Sequence, residues 1–158
     1  FILFHLGNIS MQKFILIFFV TLIAGCSTGT KFVASTHSID SNNALVYVYR
    51  PLQFDNALLS PDLIINNKRF KGISNGGYFS LHIQEGEYQI KVDFGDKGKE
   101  STKTFKFENG KTYFIKANTG RKPLEYPYEL VYFRLDEVES SIGNFEIKDT
   151  RLIEEINY

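Results

Sequence analysis

Few side chains in this chain are placed to do chemistry. The thiol of Cys26 is the only one in the sequence, and it ends the run Leu22-Ile23-Ala24-Gly25-Cys26. Among three histidines, His5 and His37 lie outside the periodic part of the chain. His82 faces away from Phe79, Leu81 and Ile83 on a strand, the position of a solvated residue. Gly95-Asp96-Lys97-Gly98-Lys99 resembles a phosphate loop only superficially. It lacks the spacing, and it leads into a strand where a phosphate loop must open a helix. Asp40, Asp55, Asp62 and Asp93 do not alternate as calcium ligands do, and Glu137 and Glu139 read as a solvated pair of acids. No HExxH, CxxC or Ser-His-Asp set occurs. The expectation is therefore no enzyme, no cofactor and no metal. The best candidate for a binding surface is aromatic and basic: Tyr126, Tyr128 and Tyr132, with Arg121 and Lys122 before them. A tyrosine ring with a hydrogen-bonding tip suits sugars and protein partners alike.

Cys26 has a context of its own. After Met11 and Lys13, residues Phe14–Ala24 form an apolar run interrupted only by Thr21. Phe14 to Gly25 as a helix would span about 18 Å against a hydrocarbon core of roughly 30 Å, so the run reads as a signal peptide and not a membrane span. Its ending resembles a bacterial lipobox. That resemblance implies cleavage before Cys26 and diacylation of its thiol, with two or three chains giving a stable anchor where one is marginal. Residues 1–10, ahead of the first methionine, read as an upstream extension, and 11–25 as the lipoprotein signal peptide. Ser27-Thr28 is not an Asp-type retention signal, so a Gram-negative host would place the protein at the periplasmic face of its outer membrane.

The elements that must position any site lie downstream. Residues 26–43 form the lipidated cysteine and a polar tether, flexible by composition, with a mean span of very roughly 20–25 Å. From Ala44 the apolar period is two. Tyr88, Ile90, Val92 and Phe94 alternate with Glu87, Gln89, Lys91 and Asp93, the pattern of a half-buried antiparallel strand. Similar strands are expected at Leu45–Arg50, Tyr78–Ile83, Thr102–Phe107, Thr112–Ala117 and Tyr128–Leu135. A hairpin is expected from Leu63–Ile65 to Arg69–Ile73 around Asn66-Asn67, and a second turn at Asn109-Gly110. The fold class is all-β, an antiparallel sandwich of about seven strands over residues 44–140, with a short helix or irregular tail over 141–158. Loops Leu52–Ser60 and Asn118–Tyr126 are where function would vary.

Five short motifs then fall in a recognisable order. They are Val46-Tyr47-Val48-Tyr49-Arg50-Pro51, Ser60-Pro61, Asn75-Gly76-Gly77-Tyr78-Phe79, Gly86-Glu87-Tyr88 and Gly110-Lys111-Thr112-Tyr113-Phe114. Together they resemble the bacterial family called domain of unknown function 2846, over about residues 44–140. The resemblance implies a prealbumin-like (transthyretin-like) sandwich, commonly exported and often lipidated, with no catalytic residues to carry over. Asn66-Asn67 and Glu85-Gly86 replace the Asp-Gly and Pro-Gly frequent in that family, a difference of turn type.

Equal numbers of basic and acidic residues, 18 of each, argue against a nucleic-acid partner. The functional expectation is a non-enzymatic envelope lipoprotein, membrane-held through Cys26, that recognises an envelope protein. The alternative is a carbohydrate- or peptidoglycan-binding module using exposed tyrosines.

Overall fold

The computed structural model describes residues 29–33, 41–95, 101–123 and 129–158. In chain order the elements are β1 (Ala44–Tyr49), β2 (Asp62–Ile65), β3 (Lys68–Gly72), β4 (Gly77–Ile83), β5 (Gly86–Asp93), β6 (Ser101–Phe107), β7 (Thr112–Pro123), β8 (Glu129–Val138), α1 (Ser140–Glu146), a 3-10 turn (Ile147–Asp149) and β9 (Arg151–Asn157). They form two sheets, ordered β8-β7-β1-β4-β9 and β3-β2-β5-β6. The chain is an all-β sandwich with one short helix near its C-terminus.

Local sequence explains much of this. Asn66 and Asn67 both adopt left-handed backbone, φ 44° and 68°, which asparagine tolerates and a β2–β3 hairpin needs. Asn66 Oδ1 also accepts a hydrogen bond from the Gln89 amide at 2.9 Å, tying that turn to β5. Tyr88, Ile90 and Val92 point into the space between the sheets while Glu87 and Gln89 face solvent. They meet Val46, Val48, Phe79, Leu81 and Ile115 from the facing sheet.

β1 departs from a half-buried pattern: all six of its residues are buried. It lies at the centre of its sheet, and the outer face of that sheet is covered too. Leu45, Tyr47, Tyr49, Tyr78 and Phe114 form a second apolar layer there, roofed by Ile147 from one side and Phe32 from the other. Gly143 of α1 sits so close to Phe114 that a Cβ would lie 2.2 Å from the ring's Cγ. Gly143→Ala is expected to lower stability by about 1–3 kcal/mol through overpacking, read as a drop in urea midpoint at unchanged slope.

Four features differ from the sequence reading. The described residues hold nine strands where periodicity indicated about seven. The larger sheet is mixed, because β1 pairs parallel with β7 and β4 parallel with β9. Period-two patterning reports a strand's buried face and carries nothing about the direction of a neighbour distant in sequence. The segment 141–158 is no tail: after α1, β9 runs along β4 as the sheet's edge. A register shift between Tyr78 and Phe79 puts Leu152 in the outer layer and Ile153 and Ile156 toward the core, which breaks the alternation. The domain therefore extends past residue 140 to the end of β9.

The fourth difference concerns the tether. Residues 29–33 dock on the sandwich. Lys31 bridges Arg151, the Phe32 amide donates to the Thr150 carbonyl at 3.1 Å, and Leu152 donates to Thr30 at 2.8 Å. Phe32 is only 9% exposed, its ring edge-on to Tyr47 and Tyr78 at 5.2 and 5.5 Å. Composition marked this stretch as polar linker because one phenylalanine in a Ser/Thr-rich run has no periodic partner in sequence.

Candidate functional site

The sequence-predicted surface lies at one end of the sandwich. β7 runs on to Pro123 and β8 back from Glu129, so residues 118–123, read as loop, are the arm of a long hairpin. Arg121 pairs with Val131 and Lys122 with Leu130 in that ladder. Tyr132 stands opposite Gly120, with its ring over the glycine: a Cβ there would meet Tyr132 Cζ at 2.5 Å. Tyr132 is 37% exposed and borders a shallow cleft of about 220 Å³ shared with Asn118, Thr119 and Arg134. Tyr126, Tyr128 and Cys26 lie outside the described residues.

The same end carries a structure that the sequence reading located as a loop without seeing its organisation. Arg50, the residue after β1, is fully buried. Its guanidinium donates to the carbonyls of Leu59 at 2.5 Å and Asn56 at 2.7 Å, reaches Ile73 O at 3.5 Å, and lies over the Phe133 ring at 5.3 Å. Burial pulls this guanidinium down to about 10, with carbonyl acceptors and an aromatic face in place of a carboxylate. Asn75 completes the clamp: its side chain donates to Gln53 O at 2.8 Å and accepts from Gln53 N at 2.9 Å. Thr119 Oγ1 donates to Gln53 Oε1 at 2.7 Å, joining the loop to the hairpin.

With the backbone groups of Gln53, Asn56 and Leu59 engaged from within, the loop presents apolar side chains outward. Leu52 is 70% exposed, Leu58 99%, and Phe54 fully so. Four large apolar residues, Leu52, Phe54, Leu58 and Leu59, in a non-periodic stretch between Pro51 and Pro61 were a legible signal. What concealed it was the absence of any pattern that separates a core-facing leucine from a solvent-facing one in a loop.

A third feature occupies the outer face of the larger sheet. Phe32, Tyr47, Tyr78, Ser80, His82 and Glu155 line a cleft of about 320 Å³. His82 Nε2 lies 3.2 Å from Glu155 Oε1, on the outward face that alternation assigned to it. Burial raises both tyrosines, and the Glu155 charge adds to this. Neither has an acid or base role that the geometry requires.

Beneath α1, Glu146 accepts hydrogen bonds from Tyr49 Oη at 2.6 Å and Lys116 Nζ at 2.5 Å. Burial pushes the Glu146 carboxyl up, but the bonds from Lys116 and Tyr49 outweigh it and the net shift is downward. A carboxyl held below its unfolded value stabilises the fold above that value and loses the contribution as pH falls through the folded one. Glu146→Gln is expected to cost about 1–3 kcal/mol at neutral pH. Its stability should change less than that of the parent between about pH 5 and pH 3 in parallel urea titrations.

Among the described residues, no three of His, Cys, Asp and Glu group as metal ligands, and no helix is long and apolar enough to cross a membrane. These features define a small two-sheet β-sandwich with loop-built surfaces gathered at one end. The chain belongs to the family described as "Protein of unknown function (DUF2846)", whose model matches residues 40–125, from just before β1 through β7. No curated protein matches the chain. The match ends at residue 125, so β8, α1 and the edge strand β9 lie outside the matched range.

Proposed function

We propose that this protein is a non-enzymatic lipoprotein of the bacterial envelope, whose sandwich works as an interaction module held at a membrane by acylated Cys26. In a Gram-negative host the place is the periplasmic face of the outer membrane. The observation that carries the reading is the docked segment Gly29–Val33. Only Ser27 and Thr28 separate Cys26 from Gly29, so an acylated cysteine lies at most about 11 Å of extended chain from a fixed point on the sandwich. The domain is thus held close to the lipid surface, and its recognition surfaces reach only neighbours at that surface. An envelope protein at that same surface is the partner this suits.

Cys26→Ala tests the anchor. The variant is expected either to leave the membrane fraction at mature size or to accumulate as the longer precursor, judged by fractionation and blotting. A mature-sized variant that still pellets with membranes contradicts the proposal.

One observation favours a second reading, a glycan-binding module. The cleft beside Tyr132 combines an aromatic ring with the amide of Asn118, the hydroxyl of Thr119 and the guanidinium of Arg134, a set suited to a sugar ring. On that reading the mature chain pellets saturably with purified peptidoglycan sacculi and Tyr132→Ala weakens the pelleting about tenfold, the loss of one central aromatic contact. A clear supernatant removes it.

A further inference from the structure

We propose that the loop between β1 and β2 is a second membrane contact, with Leu52, Phe54 and Leu58 entering the lipid interface beside the acylated cysteine. The proposal rests on the lipoprotein reading above and adds an orientation to it.

The loop is built to be apolar outside: Arg50 and Asn75 engage the main chain of Asn56, Leu59 and Gln53 from within, so its backbone does not depend on water for those bonds. Those groups can approach the lipid interface without being left unpaired. The loop is also adjacent to the docked start of the chain through direct contacts. Leu52 lies against Gly76, where a Cβ would be 3.2 Å from its Cδ1. The Gly76 carbonyl accepts from the Arg151 amide at 2.9 Å, and the Arg151 guanidinium donates to the Gly29 carbonyl at 3.1 Å. Finally, only Cys26, Ser27 and Thr28 precede Gly29 in the mature chain, which confines the apolar tip to the neighbourhood of the bilayer.

An apolar tip with Asp55 as its one charged residue implies contact driven by burial and not by attraction to anionic lipid. The contact should therefore form on zwitterionic bilayers and resist salt.

The chain contains no tryptophan, so one can be introduced as the sole fluorophore of its kind. Phe54→Trp places it on the loop. Glu108→Trp places it at the turn between β6 and β7, beside the start of β1 and so at the other end of the strand that leads into the loop. Each full-length variant is expressed in a bacterial host and purified in mature form from its membranes. The mass of its N-terminal peptide is measured, and it is reconstituted in phosphatidylcholine brominated on its acyl chains. An apolar side chain seated roughly 5–10 Å into the headgroup–acyl boundary should be quenched about threefold more than the control. Acylated Cys26 with quenching confined to Phe54→Trp supports the proposal. Acylated Cys26 with equal, weak quenching of both variants overturns it, leaves the lipoprotein reading standing, and turns the apolar tip into a protein-docking surface. An unmodified Cys26 overturns both.

Discussion

Arg50→Ala is expected to lower the free energy of unfolding by about 3–5 kcal/mol, the largest effect of any single side chain outside the apolar core. The substitution deletes a fully buried guanidinium that organises the loop leaving β1. The Leu59 carbonyl loses its guanidinium donor and is left partly buried, at about 1–3 kcal/mol, while the Asn56 carbonyl keeps only the Leu59 amide at 3.0 Å. The space over the Phe133 ring empties as well. Arg50→Lys separates charge from geometry. It keeps the cation but loses the planar fork that reaches two carbonyls at once, so it should recover less than half of the loss. Arg50→Met fills volume without donating, and should fall close to alanine if the carbonyls dominate. Urea midpoints at constant slope give the ranking. An alanine variant within about 1 kcal/mol of the parent would mean that the loop does not depend on this clamp.

Phe32→Ala is expected to cost about 2–4 kcal/mol, toward the lower end for a large buried aromatic because the site lies at the sheet's edge. Its ring closes the outer aromatic layer against Tyr47 and Tyr78, and each edge-on pair contributes about 0.5–1.5 kcal/mol beyond its buried area. The variant should also free the segment before it. Limited proteolysis is expected to cleave between Gly29 and Val33 in Phe32→Ala well before the parent, while β1 to β9 remain resistant. Equal cleavage of the two proteins would contradict the docking. On the lipoprotein proposal the same change would lengthen the effective tether from the two residues between Cys26 and Gly29 to the seventeen between Cys26 and Ala44, loosening the domain from the surface.

These two positions mark the limits of sequence reading for this fold. The alternation at Tyr88–Phe94 and the turns at Asn66-Asn67 and Asn109-Gly110 were legible because their causes are local: side chains alternate every residue, and asparagine and glycine tolerate left-handed backbone. His82 was assigned outward for the same reason. Arg50 was not legible as a buried clamp, since an arginine after a strand is ordinarily solvated and its carbonyl partners lie six to twenty-three residues away. Phe32 gains its role from an edge strand more than a hundred residues downstream, and β9 itself is disguised by a register shift. Of the predicted surface, Tyr132 is partly accessible, a state its strand alternation left open, and the apolar tip at Leu52, Phe54 and Leu58 depends on which way a clamped loop turns its side chains.

The measurement that bears most directly on the central proposal is the intact mass of the N-terminal peptide from protein extracted with detergent from its own membranes. The expected result is a mature chain beginning at Cys26, with two acyl chains on a thioether-linked glycerol and in many hosts a third on the amine. A chain that begins upstream of Cys26, or one that begins there with a free thiol, would contradict it.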